Sequence, residues 1–150
     1  MIRVATTSDL IALTNLAIQH AREIEVETDV EIVKAGIKYV IENSLNGNYY
    51  VYEIDNDIIG FAYVTTFFNP YKKKIFWEIQ GLYLKESYKA KKTIDNFLNY
   101  LYHLAKDLNL GGIILYNQND YLNSDAIDTA YWYKDLKTKI YKSVTFLMDK

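Results

Sequence analysis

The chain has 150 residues, a formal net charge of −2 and no cysteine. This length predicts one domain, residues 1–150, with a single large core. The near-neutral charge argues against a wholesale nucleic-acid binder, though not against a local basic patch. The missing cysteines exclude disulfides, thiolate nucleophiles and cysteine metal sites. No apolar stretch reaches the roughly 18 residues of a membrane span, and MIRVATTSDL lacks a signal-peptide pattern. We therefore expect a cytoplasmic protein with neither a membrane nor a nucleic-acid partner.

The first half of the chain predicts a strand, two helices and a β-hairpin. IRVA is a short strand, and Thr6 with Asp9 forms a capping-box pattern at the start of a helix. A second helix is predicted from about Asp29 to Ser44. The run YYVYEI, the turn at 55–57 and the run IIGFAYVTTFF then predict a hairpin.

The second half predicts a buried strand, a long helix and further alternating elements. After the turn NPYKKK, the run IFWEIQGLYL is apolar on both faces, which is typical of a central strand. A helix over 93–108 carries one wide apolar stripe: Ile94, Phe97, Leu98, Leu101, Leu104, Ala105 and Leu108. IILY is a strand, 125–136 a helix, and IYKSVTFLM a final strand region. The order β-α-α-β-β-β-α-β-α-β predicts an α/β fold (α+β in some schemes) with a mixed sheet.

Lysines cluster where the central strand leads into the long helix. Lys85, Lys89, Lys91 and Lys92 stand there against one acid, Glu86. The helix macrodipole disfavours lysine at this end, whereas free N–H groups and lysine side chains both bind phosphate. The residues alone leave two interpretations open, an anion site and a solvated helix start.

Glu78 lies in the middle of an apolar strand. A carboxylate there is costly unless it is paired, hydrated or functional, so Glu78 is a candidate general base. A sheet-surface carboxylate or a structural ion pair is the alternative. Gln80 points to the same face if no bulge intervenes.

Other proton-transferring side chains give weaker signals. Tyr131 and Tyr133 precede the last strand region, and a phenol can protonate a leaving group or simply pack in the core. His20 and His103 lie far apart, and His103 falls off the apolar stripe, which predicts that it is exposed. No local metal motif stands out, so no metal is expected.

These elements, in this order, resemble the GNAT superfamily of acyl-CoA-dependent N-acyltransferases over nearly the whole chain. The family's first strand and helix are similar to IRVATTSDLIALTNLA, its hairpin to GNYYVYEIDNDIIGFAYV, and its fifth strand to GGIILY. Its fourth strand, acyl-CoA loop and long helix are similar to FWEIQGLYLKESYKAKKTIDNFLNYLYHLA, especially in a bacterial subgroup with W-x-I-Q-x-x-Y-V. The resemblance implies a single GNAT domain, with about six to seven strands flanked by about four helices.

The resemblance implies acetyl-CoA as co-substrate, without a metal. In the family the pantetheine arm enters between the splayed fourth and fifth strands, and here it would contact the backbone of Leu82, Tyr83 and Leu84. Asn123, in N-x-x-A, resembles the asparagine that opens the fourth helix and contacts the cofactor.

The pyrophosphate loop of the family usually reads Arg/Gln-x-x-Gly-x-Gly/Ala. Here Lys89 takes the Arg/Gln position, and Lys92 and Ile94 replace the two glycines. Side chains at those two places could block the pyrophosphate or push it outward, while the lysines could compensate by charge. The resemblance assigns the loop to six residues: Lys89, Ala90, Lys91, Lys92, Thr93 and Ile94.

The implied activity is transfer of an acetyl group from acetyl-CoA to a primary amine by direct attack. Glu78 matches the general base of some members, and Tyr133 matches the tyrosine that protonates the leaving thiolate, with Tyr131 as the alternative. The acceptor would be a small-molecule amine or a protein amine, and the chain could form a homodimer. The alternative function, suggested by the missing glycines, is a catalytically inactive binding or regulatory module.

The Lys72–Lys74 run is interpreted as a solvated turn, with steering of an acidic substrate as its alternative.

Overall fold

The computed structural model describes residues 1–116, 139–140 and 143–147. Three α-helices lie in these ranges: α1 (Leu10–Glu23), α2 (Val30–Glu42) and α3 (Lys91–Asp107). The strands are β1 (Ile2–Val4), β2 (Gly47–Ile54), β3 (Asp57–Asn69), β4 (Lys74–Leu84), β5 (Gly112–Tyr116), β6 (Lys139–Ile140) and β7 (Ser143–Leu147). The helix predicted at 125–136 lies outside the described residues.

The strands form one mixed sheet in the order β1-β2-β3-β4-β5-β7-β6. β1 pairs antiparallel with β2, β4 pairs parallel with β5, and β5 pairs antiparallel with β7. This arrangement confirms the predicted α/β class with a mixed sheet. The single strand region predicted at the end of the chain is two antiparallel strands, β6 and β7.

One compact unit consists of Met1–Val64 with Gly81–Tyr88. Its core combines residues of α1, α2 and the strands, including Leu13, Leu16, Ile37, Val51, Ile58, Phe61 and Tyr83. The predicted β2–β3 hairpin is confirmed. Asp55 and Asn56 have φ of 51° and 61° at its turn, which Asn and Asp adopt more readily than other side chains.

Arg3 connects the beginning of this unit to β2. Its guanidinium donates to both Asp9 carboxylate oxygens, at 2.7 and 3.0 Å, and to Glu53 Oε1 at 2.8 Å. Asp9 also accepts from the Thr6 backbone N–H at 2.8 Å, as the capping-box pattern predicts. The hydrogen bonds from Arg3 hold the pKa of the Asp9 carboxyl below its usual range.

The other compact unit consists of Thr65–Gln80 with Lys89–Lys150. α3 buries most of its predicted stripe here, and His103 is exposed as predicted. The prediction is wrong for Leu108, which is 55% exposed although the stripe predicts that it is buried. The Leu108 N–H still donates to the Leu104 carbonyl at 3.0 Å, so Leu108 follows the helical path, but residues 106–109 are all exposed at this end of α3. Among the described helices, none is long and apolar enough to cross a membrane.

Candidate active site

Glu78 lies on β4 in a small polar cluster. Its Oε2 accepts from Gln80 Nε2 at 2.6 Å, and the same nitrogen donates to Thr65 Oγ1 of β3 at 3.1 Å. All three residues are half-buried. The contact confirms that Glu78 and Gln80 share a face of the strand, as alternation predicts. No ion pair involves Glu78 among the described residues, so the structural ion pair considered from the sequence is not found there.

The two donated hydrogen bonds fix the orientation of the Gln80 amide. An amide NH₂ has two hydrogens, and here one faces a carboxylate and the other a hydroxyl. With Oε2 held in this way, the carboxylate of Glu78 has a defined direction on the strand. Thr65 is the member of the cluster that sequence reasoning missed. Its contact depends on how β3 and β4 are aligned.

The start of α3 has the features of an anion-binding helix end. Ala90 precedes the helix in an extended conformation, and its carbonyl accepts from the N–H groups of Thr93 and Ile94 at 3.0 and 3.1 Å. The first turn contains no acidic residue, and no side chain caps the helix. The N–H groups before Thr93, which precede these two helical hydrogen bonds, and the positive end of the helix dipole therefore suit a negatively charged group.

The two residues that replace the family's glycines differ in how far their side chains are buried. Lys92 is exposed, whereas Ile94 is 2% exposed and belongs to the buried stripe of α3. No residue from Lys85 to Ile94 has a positive φ; in the described chain such values occur at Glu25, Asp55, Asn56, Lys73 and Asn109. The backbone of this loop therefore does not require glycine, and the Ile94 side chain packs into the protein rather than into solvent.

The lysines around this turn are not equivalent. The Lys85 ammonium lies 2.9 Å from the Asp57 carboxylate, so its charge is already paired. Lys89 is half-buried and Ala90 is exposed, while Lys91 provides the first residue of α3. The exposed positive charge at the described side chains of the turn is thus carried mainly by Lys92.

The end of β4 is firmly held by its neighbours. Leu82, Tyr83 and Leu84 are all buried, and the Lys85 N–H donates to the Ile59 carbonyl of β3 at 2.8 Å. A side chain at Gly60 would meet the Tyr83 carbonyl oxygen at 2.5 Å, so the backbones of β3 and β4 approach closely here. The backbone groups predicted to contact pantetheine therefore belong to a rigid strand.

The Tyr83 side chain takes part in a buried contact network. Its hydroxyl donates to Glu23 Oε1 at 3.1 Å, and its ring lies 5.3 Å from the His20 ring and 6.1 Å from Phe61. Burial, followed by the nearby Glu23 carboxylate, raises the pKa of Tyr83 to about 12. Tyr83 therefore stays protonated at neutral pH, and its side chain joins α1 to β4.

The parallel pairing of β4 with β5 is short. Phe76 lies opposite Gly112, and the register ends with Ile79 opposite Leu115. β4 itself continues to Leu84. Its last residues therefore extend beyond the described register with β5.

Three predicted site residues, Asn123, Tyr131 and Tyr133, lie outside the described residues. The structure therefore does not test the assignment of the general acid or of the fourth-helix asparagine. Among the residues that it does describe, no group of three or more His, Asp or Glu side chains could hold a metal ion.

Comparison with known proteins shows the family. Residues 12–130 match the acetyltransferase (GNAT) family. The chain is similar in structure to a possible acetyltransferase from Clostridium difficile 630, at 24% identity, 94% coverage of both chains and a TM-score of 0.77. It is also similar to a probable acetyltransferase, at 17% identity, coverage of 100% and 99%, and a TM-score of 0.79.

A third similar structure is that of a predicted acetyltransferase with acetyl-CoA from Clostridium acetobutylicum. It is 18% identical, with 94% of this chain and 92% of that chain covered and a TM-score of 0.69. No curated protein matches the chain. These structural similarities support the fold.

Proposed function

The chain belongs to the acetyltransferase (GNAT) family, and from this premise we propose that it transfers an acetyl group from acetyl-CoA to a primary amine. The observation that carries the proposal is the start of α3. Its first turn combines lysines without an acidic residue, a backbone without positive φ and a buried Ile94. The replacement of glycines is therefore compatible with phosphate binding at this helix end.

Acetyl-CoA would be held by two stretches of the chain. Residues 89–94 would bind the pyrophosphate through backbone N–H groups and through lysine charge. The backbone of Leu82, Tyr83 and Leu84 would bind the pantetheine arm. The similar Clostridium acetobutylicum structure contains acetyl-CoA, which supports this choice of co-substrate.

The proposed chemistry requires a base and an acid. Acetyl-CoA supplies the acetyl group as an activated thioester. Glu78 would accept a proton from the ammonium form of the acceptor, directly or through water, with Gln80 holding Oε2 and directing the carboxylate. Tyr133 would donate a proton to the departing thiolate, with Tyr131 as the alternative. A backbone N–H of β4 would stabilise the developing oxyanion.

Acetyl-CoA binding is the first test. Ligand at 100 times its Kd stabilises a protein by about 2.7 kcal/mol, which is roughly 5–10 °C in Tm for a domain of this size. Free CoA, which lacks only the acetyl group, is the control that separates binding of the CoA part from binding of the acetyl group. If neither ligand changes Tm at millimolar concentration, acetyl transfer is excluded, and an inactive binding module becomes the better interpretation.

Amine screening with variants tests the chemistry. Glu78→Gln removes the base but keeps size and hydrogen bonding, so we expect acetyl-CoA binding to persist while turnover falls by roughly 10²–10⁴-fold. Tyr133→Phe and Tyr131→Phe, compared in parallel, identify the acid. Full activity in Glu78→Gln would show that another group, or solvent, accepts the proton.

A further inference from the structure

The end of the β3–β4 hairpin is an exposed surface to which the proposed function assigns no role. We define the hairpin tip as residues 68–75, which include Phe68, Tyr71 and Ile75, with exposed fractions of 60%, 95% and 49%. Lys72, Lys73 and Lys74 lie among them. Exposed apolar side chains that are grouped in one place often mark a binding surface, whereas singly scattered ones do not.

The tip has a single sign of charge. No Asp or Glu occurs between Asp57 and Glu78 in the sequence, although the chain as a whole is slightly acidic. Lys72 and Lys73 are exposed, and the Lys74 ammonium donates to Asn109 Oδ1 at 3.2 Å. The tip is therefore locally cationic, and its partner should be anionic.

The backbone of the turn is ordered by local contacts. Asn69 Oδ1 accepts from the N–H groups of Tyr71 and Lys72 at 3.0 and 3.1 Å, and Lys73 has a φ of 53°. Phe67 and Phe76 pack against each other at the base of the tip, with ring centroids 5.6 Å apart. Phe68 and Ile75 are thus presented on a fixed hairpin rather than on a loose loop.

We propose that the hairpin tip binds the surface of a membrane that contains anionic lipids. Aromatic side chains favour the interface of a bilayer, and lysines favour its anionic headgroups. A narrow convex turn can enter such a soft interface. Proteins that bind single-stranded nucleic acid combine a groove along the backbone with several stacking aromatics, whereas this tip is one short turn whose exposed aromatic side chains are Phe68 and Tyr71. The absence of a spanning segment, from which the sequence predicted no membrane partner, does not bear on surface contact.

Vesicle flotation with the full chain tests this proposal, independently of acetyl transfer. The probes are vesicles of phosphatidylcholine alone and vesicles with a quarter of phosphatidylglycerol, at low and high salt. We expect flotation with the anionic vesicles and much less with the neutral ones. Because the Debye length shrinks to about 3 Å at 1 M salt, binding should weaken strongly there.

Two double variants separate the contributions of charge and apolar contact. Lys72→Gln with Lys73→Gln should weaken binding roughly 25-fold, at about fivefold for each lysine near an anionic surface. Phe68→Ser with Tyr71→Ser should also abolish most of the flotation. Arg22→Gln with Lys106→Gln is the charge-matched control on exposed helix positions, and it should bind at least ten times more tightly than the tip lysine variant.

Three results would overturn the proposal. These are no flotation of the wild type, equal flotation on neutral vesicles, or loss in the control as large as in the tip variants. Binding of a single-stranded oligonucleotide without vesicle binding would assign the tip to nucleic acid instead. If the serine variant fails to fold, the lysine variant still decides, since its replaced side chains are exposed.

Discussion

Restoring the family's two glycines, one at a time, tests how the start of α3 is built. Ile94 is 2% exposed on the apolar stripe, whereas Lys92 is exposed on the same turn. Ile94→Gly removes a whole buried side chain, which costs about 2–5 kcal/mol for truncation to alanine, and a helical glycine adds up to about 1 kcal/mol. Lys92→Gly should cost only about 1 kcal/mol.

Thermal and urea unfolding measure these differences. At roughly 2–4 °C per kcal/mol for this size, Ile94→Gly should lower Tm by about 4–24 °C and Lys92→Gly by about 2–4 °C. Ile94→Val is the conservative control, because it keeps most of the buried volume and should cost about 0.5–1.5 kcal/mol. The ordering of the three variants matters more than any single value.

Two outcomes would contradict this account of the loop. One is an Ile94→Gly variant that is as stable as Lys92→Gly, which would mean that the side chain is not part of the core. The other is a folded Ile94→Gly variant that binds acetyl-CoA more tightly than the wild type. In that case the isoleucine obstructs the cofactor, as the sequence alone allowed.

Three further predictions concern stability. Asp9→Asn should lower the free energy of unfolding, measured in urea, by about 2–4 kcal/mol, because it leaves Arg3 without its bidentate partner. Because folding lowers the pKa of Asp9, the wild type should lose its greater stability over this variant as the pH falls below about 4. Gly36→Ala should raise Tm, because alanine adds up to about 1 kcal/mol of helix propensity and no atom lies within 4 Å of the added Cβ. Gly60→Ala should lower Tm, because the added Cβ would overlap the Tyr83 carbonyl oxygen. Tyr83→Phe should lower the free energy of unfolding by about 1 kcal/mol at neutral pH. Since folding raises the pKa of Tyr83 to about 12, the wild type should lose stability between pH 10 and 12 in alkaline denaturation, and Tyr83→Phe should not show this loss.

Features determined by neighbouring residues were predictable from the sequence. The β2–β3 turn was identified from its Asp and Asn residues, and these are the residues with positive φ. The capping contact of Asp9 to the Thr6 N–H likewise involves groups three residues apart. In both cases local chemistry determines the backbone, so the pattern is sufficient.

Features that depend on strand alignment or on element ends were not predictable in the same way. The hydrogen bond from Gln80 to Thr65 joins β4 to β3, and neither strand alone specifies which residues face each other. Leu108 continues the helical spacing, but α3 ends one residue earlier. Its 55% exposure follows from where the core ends along the helix, since residues 106–109 are all exposed, and periodicity does not locate that point.

The sequence supports two expectations for the Ile94 side chain, and its burial in the structure distinguishes them. As a member of the apolar stripe it should be buried, and as a replacement for a family glycine it should crowd the phosphate. The Ile94 side chain is buried, as its place in the stripe predicts, so it does not crowd a phosphate bound at the helix start.

The loop then differs from a glycine-rich loop chiefly in its charge. Lys85 is paired with Asp57, so Lys92 is the main source of exposed positive charge among the described side chains of the loop. A phosphate site of this kind depends on helix N–H groups and on ammonium charge, and it should respond to salt more than a site built on close backbone approach.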